Sequence, residues 1–218
     1  MLRANVSEKY HPDELLKSLP YKGEGRRIVA IGASTGGVDA IARILKQLPR
    51  NLPPIVITQH IPDGFSTSFV DRLNLDSRLD IFEVRQRMLL QKSCAYLAPG
   101  GLHMLLERQG ADYYAKPQGG IRISRHCPSV DVMFRSVNNV AGRAALAIIM
   151  TGMGDDGSIG IKELYDNGAY TIAQDEASCV VFGMPKQAIA KGAICEVVGL
   201  DFIYQKILAY ANGRLKRL

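Results

Sequence analysis

Residues 28–37 read IVAIGASTGG. An apolar run ends in a Gly-x-Ser-x-Gly turn (Gly32, Ser34, Gly36) and breaks into a stretch with helical spacing. A strand feeding a sharp glycine-flanked turn lifts one serine hydroxyl clear of its sheet and sets a helix N-terminus directly behind it. A nucleophilic serine needs that arrangement, which makes acyl-group hydrolysis the first hypothesis.

The alternation begun there continues along the chain. Apolar runs predict strands over 28–31, 55–58, 79–84, 95–97, 144–150, 169–173 and 193–198, and 3.6-residue spacing predicts helices over 38–48, 65–73, 159–167, 185–190 and 201–211. A further helix opens at Pro128-Ser129, with Ser129 as N-cap and Asp131 in its first turn. Residues 103–107 and 113–116, joined across Gly110, predict an antiparallel hairpin. Strands alternating with helices specify an α/β fold: a doubly wound, mostly parallel sheet with helices on both faces, plus the small hairpin. Residues 1–25, ending in Lys22-Gly23-Glu24-Gly25, read as an extension or linker, and 26–218 as one domain.

Bulk properties narrow the classes. With 47% hydrophobic and 22% charged residues, the chain has an ordinary globular balance. No apolar run approaches the roughly 20 residues of a membrane helix, and the polar N-terminus is no signal peptide. The expectation is a cytoplasmic protein without direct membrane insertion. The net charge of +6 suits an acidic surface without demanding nucleic acid, because the basic residues are scattered; Arg214, Lys216 and Arg217 read as a solvated helix end. Cys94, Cys127, Cys179 and Cys195 stand far apart with no Cys-x-x-Cys pair, which argues against structural zinc and for reduced, small hydrophobic side chains. No metal or cofactor is implied.

In parallel sheets functional groups gather outside the carboxyl ends of the strands. Three polar groups fall at predicted strand ends: Ser34, His60 after IVIT, and Asp155-Asp156 in TGMGDDG. A serine hydroxyl needs a base within reach, and the base needs an orienting partner. His60 is the best base available, since His11 lies in the extension, His103 begins the hairpin and His126 precedes a helix. Asp155 or Asp156 would hold the imidazole, and spacing does not choose between them. Backbone amides at Thr35 and near Met153 and Gly154 would receive the oxyanion. Each feature has a plain structural reading: Ser34 as a helix cap, His60 as a packed side chain, Asp-Asp-Gly as a turn. Their convergence at strand ends favours chemistry. A dinucleotide site fails for want of Gly-x-Gly-x-x-Gly and of an acid after the second strand, a P-loop for want of Gly-Lys-Ser/Thr, and an ordinary α/β-hydrolase because no histidine follows Asp156.

With these residues assembled, the chain resembles the catalytic domain of the CheB-type chemotaxis receptor methylesterases. The resemblance runs from about Ile28 to Val198 in six ordered blocks: IVAIGASTGG, QHIPDGFSTSF, AYLAPGGLHM, RHCPSVDVMF, MTGMGDDGSIG and IAQDEASCVVFGMPKQA. It implies a triad of Ser34, His60 and Asp156, with Asp155 at a variable position and Thr35 and Met153 beside the nucleophile and the oxyanion site. It also implies hydrolysis of glutamate γ-methyl esters on the cytoplasmic helices of methyl-accepting chemotaxis receptors, deamidation of receptor glutamines, and no cofactor. Two departures stand out. Most members carry an N-terminal receiver domain, whereas about 25 residues precede Ile28 here, which implies a free-standing esterase or a fragment and leaves phosphorylation control open. The segment 84–92, VRQRMLLQK, lacks the family's usual acidic and glycine residues. The rival readings are a serine esterase of the same design acting on another ester, and a non-catalytic module that binds receptor helices.

Overall fold

A computed structural model describes residues 8–215; the first seven residues of the extension, and Lys216 and Arg217 of the C-terminal basic cluster, lie outside the described residues. The elements in chain order are β1 (Ile28–Ala33), α1 (Gly37–Gln47), β2 (Ile55–Gln59), α2 (Phe65–Asp76), β3 (Asp80–Glu83), β4 (Met88–Leu89), β5 (Cys94–Leu97), β6 (His103–Gln109), β7 (Asp112–Gln118), α3 (Val130–Val140), β8 (Ala145–Ile149), α4 (Ser158–Asp166), β9 (Tyr170–Gln174), α5 (Met184–Ala190), β10 (Glu196–Val198) and α6 (Leu200–Ala211). Seven strands form one sheet in the order β10-β9-β8-β1-β2-β5-β3, and every pairing in it is parallel.

The apolar runs fill both faces. Along β1, Val29, Ile31 and Ala33 join a buried cluster with Ile41, Ile44 and Leu45 of α1, Phe69 and Leu73 of α2, and Ile203 and Ile207 of α6. Ile28 and Ala30 point the other way, into a cluster with Met133, Phe134 and Val137 of α3, Ile161 and Leu164 of α4, and Ala188 of α5. A strand covered on both faces has no polar side to show, so its sequence runs apolar without alternating.

The predicted hairpin is β6 and β7, antiparallel across Gly110, and it acquires a third strand in β4. Met104, Leu106, Tyr113 and Ala115 of this small sheet pack with α3 in the second cluster. Two residues are too few to display a period, so β4 left no trace in the sequence pattern. It lies within the atypical segment 84–92, where Arg87 donates to Glu107 on β6 at 3.0 Å and sits over the Tyr114 ring. Cys94 is buried, the other three cysteines are half-buried, and all four are free thiols.

Residues 8–25 run against α3. Tyr21 N donates to Asn138 O and Leu19 N to Asn139 Oδ1. The buried Arg135 guanidinium holds Asp13 and the Leu16 carbonyl on one side and Glu163 of α4 on the other. Among the described residues, no helix is long and apolar enough to cross a membrane.

Candidate active site

The direction in which strands are added reverses at the centre of the sheet. From β1 the chain adds β2 on one side, and it returns later to add β8 on the other. Such a switch point opens a crevice at the carboxyl ends of the strands, and Ser34, His60 and Asp156 follow β1, β2 and β8. Register pairs Ala33 with Gln59, so positions 34 and 60 leave the sheet side by side. His60 N donates to Ala33 O at 3.1 Å, and the buried Gln59 amide donates to Ser34 O at 2.8 Å. Both glycines of the serine turn have a physical reason. Gly36 adopts φ 81° to start α1, a conformation that costs glycine little. At Gly32 a Cβ would collide with Val130 Cγ1, so the glycine lets the first turn of α3 lie on the strand.

That helix end builds the carboxylate site. Asp156 is 1% exposed. Its Oδ1 accepts from Ser129 Oγ at 2.8 Å and Asp131 N at 3.0 Å, and its Oδ2 from Val130 N at 2.7 Å. Ser129 is the N-cap of α3 and accepts from Val132 N, as the sequence predicts. The carboxylate thus sits on the positive end of the helix dipole. His60 Nε2 meets Asp156 Oδ2 at 2.7 Å. Burial alone would push this carboxyl up, but the His60 hydrogen bond and charge, with the Asp131 amide, outweigh it and hold the carboxyl below its ordinary range.

An ionised carboxylate on Nε2 keeps the proton at that nitrogen, so Nδ1 is the basic one. Nδ1 is buried and has no partner among the described residues. No hydrogen bond joins it to the Ser34 hydroxyl in this resting arrangement; bonds of this kind often tighten only around substrate. Asp155, half-exposed, forms an ion pair with Lys9 of the N-terminal segment instead of facing His60.

Around the serine, Ser34 N is already committed to Thr151 O at 2.9 Å, whereas the amides of Thr35 and Met153 donate to nothing among the described residues. The Thr35 carbonyl is anchored by Thr151 Oγ1 at 2.9 Å, and the Met153 side chain is 73% exposed. An open cleft of about 440 Å³ lies beside His60, lined also by Pro62, Asp63, Arg122 and His126.

Three neighbours make contacts that the sequence reasoning, which took His126 and Asp131 as helix start and site wall, did not anticipate. The His126 ring stacks on His60, with centroids 3.6 Å apart and planes 11° from parallel. Asp131, fully buried, accepts from Ile159 N and Gly160 N of α4 and from Ser124 Oγ; burial and the Asp156 charge push its carboxyl up. His103 is buried, accepting from Ser129 N at Nδ1 and meeting Ile121 O at Nε2. His11 caps a single turn of 3-10 helix, Pro12–Glu14, and pairs with Asp13. Among the described residues, no group of three or more His, Cys, Asp or Glu side chains is placed to hold a metal ion.

The comparisons agree with one another. The profile of the CheB methylesterase family matches residues 29–207. A Pectobacterium atrosepticum protein named protein-glutamate methylesterase/protein-glutamine glutaminase is 47% identical over 202 residues, 93% of this chain and 57% of that protein. A Chromobacterium violaceum protein of the same name, numbered 2, is 53% identical over 181 residues, 83% of this chain and 51% of that protein. This chain therefore spans about half the length of the curated relatives it matches. The crystal structure of the Thermotoga maritima CheB methylesterase catalytic domain superimposes with a TM-score of 0.82 at 34% identity, covering 84% of this chain and 98% of that one.

Proposed function

The chain belongs to the CheB methylesterase family, and on that premise we propose that it hydrolyses γ-methyl esters of glutamate side chains on chemoreceptor helices and deamidates receptor glutamines. In this reading residues 26–218 are the catalytic domain, residues 1–25 an extension or linker, and the substrate the cytoplasmic helical region of the receptors.

Ser34 Oγ attacks the side-chain carbonyl carbon while His60 Nδ1 takes its proton. The Thr35 and Met153 amides receive the oxyanion of the tetrahedral intermediate. His60 then returns the proton to the departing methanol or ammonia, leaving a glutamyl ester on Ser34. Water attacks that ester with His60 again as base, which releases glutamate and restores the serine. Asp156 holds the Nε2 proton throughout and offsets the imidazolium charge. Ester and amide share the reacting carbonyl, so one set of residues serves both.

The observation that carries this reading is the buried carboxylate–imidazole pair, with one imidazole nitrogen unpartnered, at the end of the strand that pairs with the one leading to Ser34. The test is methanol release from a methylated chemoreceptor and ammonia release from an amidated one. Native protein should turn over both, and Ser34→Ala should lose about 10⁴-fold or more. Turnover confined to aryl esters would refute the substrate, and a fully active Ser34→Ala would refute the nucleophile.

A further inference from the structure

We propose that His126 is a positioning residue for the acid–base step: its ring, stacked on His60, fixes the plane of the base and supports the imidazolium that forms when Ser34 attacks. The proposal rests on the serine mechanism above and deepens it.

The hydrogen bond from Nε2 to Asp156 pins one point of the His60 ring. Its own Cβ–Cγ bond holds a second point, but the ring still rotates about the line through the two, and that rotation would misaim Nδ1. A flat neighbour 3.6 Å away and 11° from parallel removes that motion. The two restraints together aim the free nitrogen; either alone does not.

His126 is itself held firmly. Its amide donates to Ile123 O at 2.8 Å and its carbonyl accepts from Ile123 N at 3.0 Å. Ser124 Oγ ties the same loop to buried Asp131 at 2.8 Å. Ser124 and Arg125 sit at φ 49° and 71°, left-handed conformations that non-glycine residues keep only where surrounding structure compels them. Three residues further on, Ser129 caps α3 and holds Asp156. One short segment therefore supplies the stack on the face of the base and the helix end behind its carboxylate.

Charge favours the same role. Burial first, then the positive charges of protonated His60, Arg122 and Arg125, bring His126 down to about 4. His126 stays neutral while His60 gains and loses its proton, so the forming cation meets a π face and not a second cation. The other ionisable groups near the pair are Asp156, Asp131 in the first turn of α3, His103 on β6 and Asp63 after β2.

The test measures kcat, KM and the acid limb of kcat/KM for methanol release by native protein, His126→Ala and His126→Phe. His126→Ala should lose kcat on the order of 10- to 100-fold with KM nearly unchanged. His126→Phe restores a flat face with nothing to titrate; it should recover most of that kcat and move the acid limb upward, because a phenyl face favours the protonated base. NMR titration of the His60 ring in the same variants reports the upward move without turnover, so a poorly folding His126→Ala does not silence the test. Native kcat in His126→Ala would overturn the proposal. So would a His126→Phe no better than His126→Ala with an unmoved acid limb, the behaviour of a mere wall residue. Turnover indifferent to Ser34→Ala would instead bring down the serine mechanism beneath it.

Discussion

Asp156 and Ser34 both follow central, neighbouring strands, and their surroundings are opposite in kind. Asp156 is closed off from solvent, and its two oxygens take three protein donors besides His60. Ser34 is half-buried on a glycine turn, and the next amide, that of exposed Thr35, has no partner among the described residues. Burying a carboxylate is costly unless donors and a helix dipole replace its water, so the acid–base half of the site is complete before substrate arrives. In the proposed reaction the nucleophile half would meet a side chain presented by another protein, which open amides suit. The charged partner is preorganised and the reacting edge is accessible.

The sharpest way to break that contrast is to neutralise each aspartate in turn. Asp156→Asn puts an amide NH2 in place of one carboxylate oxygen, against either His60 and Val130 or Ser129 and Asp131, so a donor must face a donor. Turnover of methylated receptor should fall on the order of 10⁴-fold. Asp155→Asn loses only a partly exposed ion pair with Lys9 and should stay within about 2-fold of native. Equal damage from both would mean that the closed half does not depend on this one carboxylate.

A smaller effect probes how the helix end reaches the strand. Gly32→Ala drives a methyl group into Val130 at the start of α3, the residue whose amide holds Asp156. We expect a stability loss of about 1–3 kcal/mol by thermal unfolding and a kcat loss on the order of 10²-fold from the displaced acid. Gly119→Ala is the control: a Cβ there meets nothing closer than Leu102 Cδ2 at 3.9 Å, and both properties should hold. A Gly32→Ala protein that matches it would show α3 free to shift without harm to the site.

Much of this was legible in the sequence, and the exceptions share a cause. The strands other than β4, the α-helices, the serine turn and the Ser129 cap are local patterns, readable from runs and spacings. The His126 stack depends on a loop passing through two left-handed residues, Ser124 and Arg125, which no periodicity announces. The choice of Asp156 over Asp155 depends on a helix distant in sequence. Residues 8–25 dock partly through backbone groups at Leu19 and Tyr21, which leave no side-chain signature, and Arg135 looks like a solvent-facing helix residue until Asp13 and Glu163 close on it. Long-range polar contacts are where the pattern ran out.

The smallest expected effect separates two buried carboxylates of opposite sign. Asp156 is held below the ordinary carboxylate range, so it stabilises the fold at neutral pH and loses that contribution as pH falls. Asp131 is pushed up to about 7, by burial first and then by the Asp156 charge, despite the Gly160 amide and the Ser124 hydroxyl. The folded protein therefore keeps on Asp131 a proton that the unfolded chain releases near pH 4. The stabilisation from that proton is complete below about pH 4 and is lost as pH climbs toward 7. Asp131→Asn carries no such proton, while its carbonyl oxygen still accepts from Ile159 and Gly160. Measured as Tm across a pH series, the native-minus-variant difference should decline from pH 4 to 7 and flatten above. A difference that stays level, or rises, would show Asp131 ionised across that range and its charge already offset by the α4 amides.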